Sequence, residues 1–185
     1  MKKSTIIIIA LVVVIAIVAV IALVLNNGSK SNLPAITSAE NLTTLVDSIY
    51  QGVTVEMPGV MTLSIDVTDA EAVSHMTGLE NGNELEYLVV SEPMMSSQAY
   101  SLVLAKVKSG VNASKIAETM KNNIDTRKWI CVTAEKLYAT NSGDVVCLIM
   151  TRADLAKSVF DSFKTLAGNV GQVFERTEQE TQLPE

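Results

Sequence analysis

Residues 129–168 read WICVTAEKLYATNSGDVVCLIMTRADLAKSVFDSFKTLAG, and this stretch decides the fold. Its middle, Asn141–Asp144, is a turn signal, because Asn, Ser and Asp stabilise turns and Gly143 permits a positive φ. Apolar runs flank the turn on both sides and predict two strands, at residues 129–139 and 144–150. Four apolar residues then share one helical face: Leu155, Val159, Phe163 and Leu166. The stretch predicts a hairpin followed by a helix that packs on it.

The same order of elements occurs earlier in the chain. Residues 84–91 (ELEYLVVS) and 99–109 (AYSLVLAKVKS) predict two strands, and residues 112–124 (NASKIAETMKNNI) predict a helix. Two strand–strand–helix units predict an α+β fold with a mostly antiparallel sheet of about four strands, covered by helices on one face.

The N-terminal segment is strongly apolar. Residues 6–25 are twenty consecutive apolar residues, enough for a helix of about 30 Å that spans a bilayer. A cleaved secretory signal is the alternative, but its apolar region is usually shorter. Lys2 and Lys3 precede the run and predict a single-pass protein of the cell membrane, with its N-terminus in the cytoplasm. Four parts follow: a cytoplasmic start and transmembrane anchor at 1–25, a linker at 26–36, an extracytoplasmic α+β domain at 37–168 and a polar acidic tail at 169–185.

The chain is acidic, with 14 Lys and Arg against 20 Asp and Glu and a net charge of −6. Negative charge is repelled by phosphate backbones. Nucleic acid is therefore not an expected partner. The expected partners are the lipid bilayer around residues 6–25 and a protein of the cell envelope.

The two cysteines, Cys131 and Cys147, are predicted to be unpaired. If Asn141–Asp144 joins its flanking strands directly, Cys147 lies opposite Leu137 or Tyr138, about 20 Å from Cys131 along the strand. A disulfide requires its Cα atoms within about 7 Å. The apolar neighbours of both thiols predict two buried cysteines that act as small hydrophobic residues.

Catalytic motifs are absent from the sequence. It contains no H-E-x-x-H, G-x-S-x-G, Walker-type loop or C-x-x-C, and its one histidine, His75, has no partner group nearby in sequence. We therefore predict no catalytic residue, no metal site and no cofactor.

Three residues are candidates for a partner-binding surface: Met94, Met95 and Trp129. The two methionines lie in residues 91–100 (SEPMMSSQAY), a loop that Pro93 separates from its strand. Adjacent methionines form adaptable binding surfaces or bind copper(I), and they also serve as core filler. Trp129 follows two cations, so it is either a binding hot spot or an anchor for the following strand.

The sequence also resembles a known family. Pro93-Met94-Met95, the strand ending at Lys108, the junction 124–131 and the turn at Asn141–Asp144 resemble a domain of unknown function in small exported proteins and lipoproteins of Gram-positive anaerobic bacteria. The resemblance implies an exported domain and a fold, but no reaction. This chain lacks the lipid-attachment cysteine of similar proteins.

These observations predict a membrane-anchored, extracytoplasmic domain that binds a protein partner and is not an enzyme. Two alternatives remain open. One is a module that binds a small molecule or a metal, such as copper(I) at methionines. The other is an envelope hydrolase that uses spatially assembled carboxylates.

Overall fold

The computed structural model describes residues 31–178. Ten elements follow one another in this part of the chain. The helices are α1 (Ala39–Gln51), α2 (Ala70–Thr77), α3 (Ala113–Asn123) and α4 (Ala153–Ala167). The strands are β1 (Val60–Ile65), β2 (Leu85–Pro93), β3 (Tyr100–Val107), β4 (Lys136–Ser142), β5 (Val145–Thr151) and β6 (Phe174–Thr177).

All described strands form one antiparallel sheet, in the order β1-β2-β3-β5-β4-β6. The fold is α+β, but the prediction of about four strands is wrong because the sheet has six. The two additional strands are its edges. Residues 61–65 of β1 (MTLSI) have the alternation of a strand but were not predicted as one, and β6 has only four residues, inside the segment 169–185 that we expected to be a polar tail.

Helices cover both faces of the sheet, which corrects the expectation of helices on one face. Helices α1 and α4 pack on one face, and α2 and α3 pack on the other, so that two separate cores form. The central strand β5 is buried along its whole length. A strand buried on both faces has a continuous apolar run instead of alternation, and Val145–Met150 has this pattern.

The β4–β5 hairpin has a tighter turn than predicted. Gly143, at φ 57°, and Asp144 are the only two residues outside the paired strands, and Cys147 lies opposite Thr140. Strand β4 begins at Lys136, so the predicted strand over residues 129–135 is wrong. This segment is irregular because it runs over the end of the sheet and does not continue it.

Within residues 31–178, no helix combines the length and the apolar composition that crossing a membrane requires. The longest described helix, α4, has 15 residues and is about 22 Å long. The predicted single-pass membrane protein, with its cytoplasmic N-terminus and outer domain, is therefore not supported by the structure. Residues 6–25, on which that prediction rested, lie outside the described residues.

Candidate protein-binding surface

Exposed apolar side chains collect at one corner of the sheet. Five of the seven large apolar residues that are exposed in the described chain belong to β1 or to the two segments beside its start: Met61, Leu63, Met94, Met95 and Ile130. We call these five residues the apolar edge. Met94 is 72% exposed and Ile130 is 65% exposed, values far from those of core residues. Clusters of exposed apolar side chains are typical of interaction sites.

Backbone hydrogen bonds hold the three segments of the apolar edge together. The N–H of Met94 donates to the carbonyl oxygen of Gly59 over 2.9 Å, which places the β2–β3 loop beside the start of β1. The N–H of Ile130 donates to the carbonyl oxygen of Ser96 over 3.0 Å. The exposed side chains therefore occupy fixed neighbouring positions.

Among the strands of residues 31–178, β1 is one edge of the sheet and pairs with β2 alone. Along an antiparallel ladder, pairs of opposite residues that exchange hydrogen bonds alternate with pairs that do not. Gly59 and Met94 form a hydrogen-bonded pair, so every second residue after Gly59 also bonds to β2. Met61, Leu63 and Ile65 bond to β2. The N–H and C=O groups of Thr62 and Ser64 point away from the sheet.

A polar network lies directly behind this edge. Glu92 pairs with Met61 across β1 and β2, so their side chains lie on the same face. Its carboxylate accepts hydrogen bonds from Lys128 Nζ at 2.7 Å, from Trp129 Nε1 at 3.2 Å and from the hydroxyl of Ser101. These bonds fasten residues 128–129 to the end of β2 and so position Ile130.

The Lys128 ammonium is almost fully enclosed. Only 3% of its side chain is exposed, and it lies 5.5 Å from the centre of the Trp129 ring. Burial lowers the pKa of Lys128, and the attraction of Glu92 partly opposes this shift. A cation this well enclosed is unavailable to a ligand and has a structural role.

Hydroxyl groups support the other face of the same corner. Thr62 Oγ1 lies 3.1 Å from Ser91 Oγ, and the Tyr100 hydroxyl donates to the Tyr50 hydroxyl over 3.1 Å. Burial raises the pKa of Tyr50 and raises that of Tyr100 well above its ordinary value. Neither phenol is therefore a base at neutral pH.

Charge is distributed unevenly between the two halves of the described chain. Residues 31–105, which include β1 and β2, contain ten Asp and Glu and no Lys or Arg. All 11 Lys and Arg of the described chain lie in residues 106–178. Glu56 precedes β1, and Asp66 and Asp69 follow it, so acidic residues flank the apolar edge on both sides.

The structure brings only some of the predicted site residues to the surface. Met94 and Met95 are exposed and adjacent, whereas Trp129 is half-buried against the α2–α3 core. Cys147 is a buried free cysteine, and burial raises the pKa of its thiol. Cys131 is exposed, and its backbone has a φ of 61°. The prediction of two buried cysteines is wrong for Cys131.

Sequence reasoning missed Met61, Leu63 and Ile130, together with the ion pair behind them. An adjacent Lys128-Trp129 gave no signal of its partner, since Glu92 lies 36 residues earlier. The absence of any Lys or Arg from residue 31 to residue 105 was a usable signal of an acidic surface.

A cleft of about 420 Å³ lies at the same end of the sheet, next to the start of α4. Two of its three charged side chains, those of Arg152 and Glu135, already have partners within the protein. Arg152 Nη2 donates to the carbonyl oxygen of Glu56 at 2.7 Å, and Glu135 accepts the N–H of Ala153 at 2.9 Å. Across residues 31–178, no three His, Cys, Asp or Glu side chains are grouped so that they could hold a metal ion.

No protein-family model, no curated protein and no solved structure matches this chain. The resemblance to a family of exported proteins of anaerobic bacteria therefore stays a prediction, as does the absence of enzymatic activity.

Proposed function

We propose that this domain is a protein-binding module without catalytic activity, and that the apolar edge is its contact surface. The partner presents a basic, partly apolar segment. This proposal keeps the binding role that Met94 and Met95 suggested and extends the surface to Met61, Leu63 and Ile130.

One observation carries the proposal: five exposed apolar side chains lie on three segments that backbone hydrogen bonds and strand pairing hold together at one corner of the sheet. Methionine is suited to such a surface because its flexible, polarizable side chain adapts to different partners. The Glu92 network supports this role, since it fixes the surface from behind without exposing a charge at its centre.

The uneven charge supports a basic partner. Residues 31–105, which include β1, contain ten acidic residues and no basic residue, and this net negative charge favours a partner with positive charge. Attraction of this kind speeds association and selects partners.

Site-specific photo-crosslinking in cells tests the proposal. A benzophenone amino acid replaces Met95 in the full chain, and the same amino acid replaces Leu166, which is exposed on α4, as the matched control. We expect a discrete cross-link from position 95 to a basic segment of another protein, and none from position 166. Replacing Met94 with Ser and Ile130 with Ser should weaken that cross-link.

Identical products from positions 95 and 166 would contradict the proposal, because a specific surface cannot give the same products as a distant one. A cross-link that maps to an acidic segment would contradict the claim that the partner segment is basic.

A further inference from the structure

The way in which a partner occupies the apolar edge follows from the backbone of β1. We propose that an extended segment of another protein adds to the sheet as a seventh strand beside β1. The segment alternates apolar and small side chains and is flanked by Lys or Arg. This inference rests on the proposed function and specifies its partner class and binding mode.

The outward backbone groups of Thr62 and Ser64 supply the hydrogen bonds for such a strand. One residue separates Thr62 from Ser64, which is the spacing of successive hydrogen-bonding positions along one side of an antiparallel strand. Strand addition derives its affinity from main-chain hydrogen bonds and its specificity from alternate side chains. β1 offers six regularly paired residues for this purpose.

The side chains of β1 determine the pattern of the partner. Met61 and Leu63 project from one face, and Thr62 and Ser64 project from the other. A neighbouring strand packs each side chain beside those on the same face. The partner therefore places apolar residues beside Met61 and Leu63, and small or hydroxyl residues beside Thr62 and Ser64.

β1 also lacks the features that normally protect an edge strand. Natural edges carry charges, Pro, bulges or very short strands that prevent pairing with other chains. Strand β1, VMTLSI, has no charge, no Pro and no register shift, whereas the opposite edge β6 has four residues, two of which are Glu175 and Arg176. An unprotected edge beside exposed methionines is the pattern of a strand-accepting site.

The charges that flank β1 favour a different protein over a second copy of this chain. Glu56, Asp66 and Asp69 lie in the segments before and after the strand, with no Lys or Arg from residue 31 to 105. An antiparallel second copy brings the same acidic segments together, and like charges placed opposite one another are destabilising. A partner with basic flanks neutralises them.

Selection from a phage-displayed library of random nonapeptides, with the full chain as bait, tests this inference. The decisive variant is Ser64→Pro, which removes an outward N–H that β2 does not use; Pro is tolerated on edge strands where the N–H faces solvent. Ser64→Ala keeps the N–H and is the matched control. Leu63→Lys is a second variant that protects the edge with charge and leaves the backbone unchanged.

The expected result is enrichment of peptides with alternating apolar residues and basic ends. Their binding should fall at least tenfold on Ser64→Pro and on Leu63→Lys and stay unchanged on Ser64→Ala. Circular dichroism of each variant establishes that the sheet is intact.

Three other results would overturn the inference, and they differ in what they say about the proposed function. Peptides that bind Ser64→Pro normally but lose binding on Met94→Ser/Met95→Ser would exclude strand addition and keep the protein-binding role. No enrichment of peptides over an empty support would contradict both the strand addition and the protein-binding role. Concentration-dependent dimers in sedimentation, lost in Leu63→Lys, would make a second copy the occupant and also overturn the inference.

Discussion

Lys128 and Glu92 form a buried ion pair that joins an irregular segment to the end of β2. Their Nζ and Oε1 atoms lie 2.7 Å apart, and the exposed fractions of the two side chains are 3% and 19%. The pair connects the irregular segment 127–135 to a regular strand 36 residues earlier. Because Ile130 follows Trp129 directly, the pair also determines the shape of the apolar edge.

Glu92→Gln is expected to destabilise the protein strongly. The change leaves the enclosed Lys128 ammonium without its counter-charge, and breaking a buried pair in this way costs about 3–5 kcal/mol. Urea denaturation measures the loss of unfolding free energy. Glu175→Gln is the control, since Lys136 and Glu175 are also 2.7 Å apart but Glu175 is exposed. It should cost at most about 1 kcal/mol. Equal losses in the two variants would contradict a structural role for Lys128.

Stability is expected to fall at alkaline pH because of Tyr100. Burial raises its pKa well above 10.0, while in the unfolded chain it ionises near its ordinary value. The unfolded state therefore releases its proton first, and stability that is fully present below pH 10 is lost as the pH rises further. Tyr100→Phe should lose about 1 kcal/mol at pH 7, with its hydrogen bond to Tyr50, and show a shallower alkaline decline. Unfolding free energies from pH 7 to 11 measure both effects, and an unchanged slope would contradict this account.

The two thiols should differ sharply in reactivity. Cys131 is exposed, whereas Cys147 is fully buried and burial raises its pKa. Ellman's reagent should therefore modify one thiol per chain in the native protein and the second only after unfolding. Cys131→Ser should remove the rapid reaction. A rapid reaction that persists in this variant would place Cys147 at the surface.

Replacing each of two glycines with alanine should distinguish the cost of backbone strain from the cost of steric overlap, because both have a positive φ but only one is crowded. At Gly78, φ 75°, an added Cβ would lie 2.4 Å from the backbone nitrogen of Ile124, but at Gly110, φ 83°, it would meet no atom within 4 Å. Gly110→Ala should cost about 1–2 kcal/mol of strain alone. Gly78→Ala should cost a further ~1–3 kcal/mol, because the C-terminal end of α2 must move away from Ile124. Thermal denaturation compares the two, and equal costs would contradict the close contact.

Local patterns identified the inner parts of the fold. The apolar runs of β2, β3 and β5 and the helical spacing of α3 and α4 each depend on residues that are near one another in sequence. The strand number was wrong because the alternation in residues 61–65 of β1 was not interpreted as a strand and because β6 has only four residues. The placement of helices was wrong because the continuous apolar run Val145–Met150 was not interpreted as a strand buried on both faces.

The candidate site was only partly predictable. Met94 and Met95 were recognisable from an unusual loop, but Met61 and Ile130 join them only in the folded chain, through strand pairing and through hydrogen bonds to the Gly59 and Ser96 carbonyl groups. Glu92 and Lys128 are likewise brought together by tertiary structure alone. Trp129 had two possible roles in the sequence, and its bond to Glu92 explains why it is half-buried.

Amide hydrogen exchange at β1, followed by NMR in the full chain, tests the central claim most directly. If β1 is an open edge, the outward N–H groups of Thr62 and Ser64 exchange rapidly, while those of Met61 and Leu63, bonded to β2, exchange slowly. Addition of a peptide that binds the edge should then slow Thr62 and Ser64 alone. Slow exchange at Thr62 and Ser64 in the free protein would show that the edge is already covered and would contradict the account.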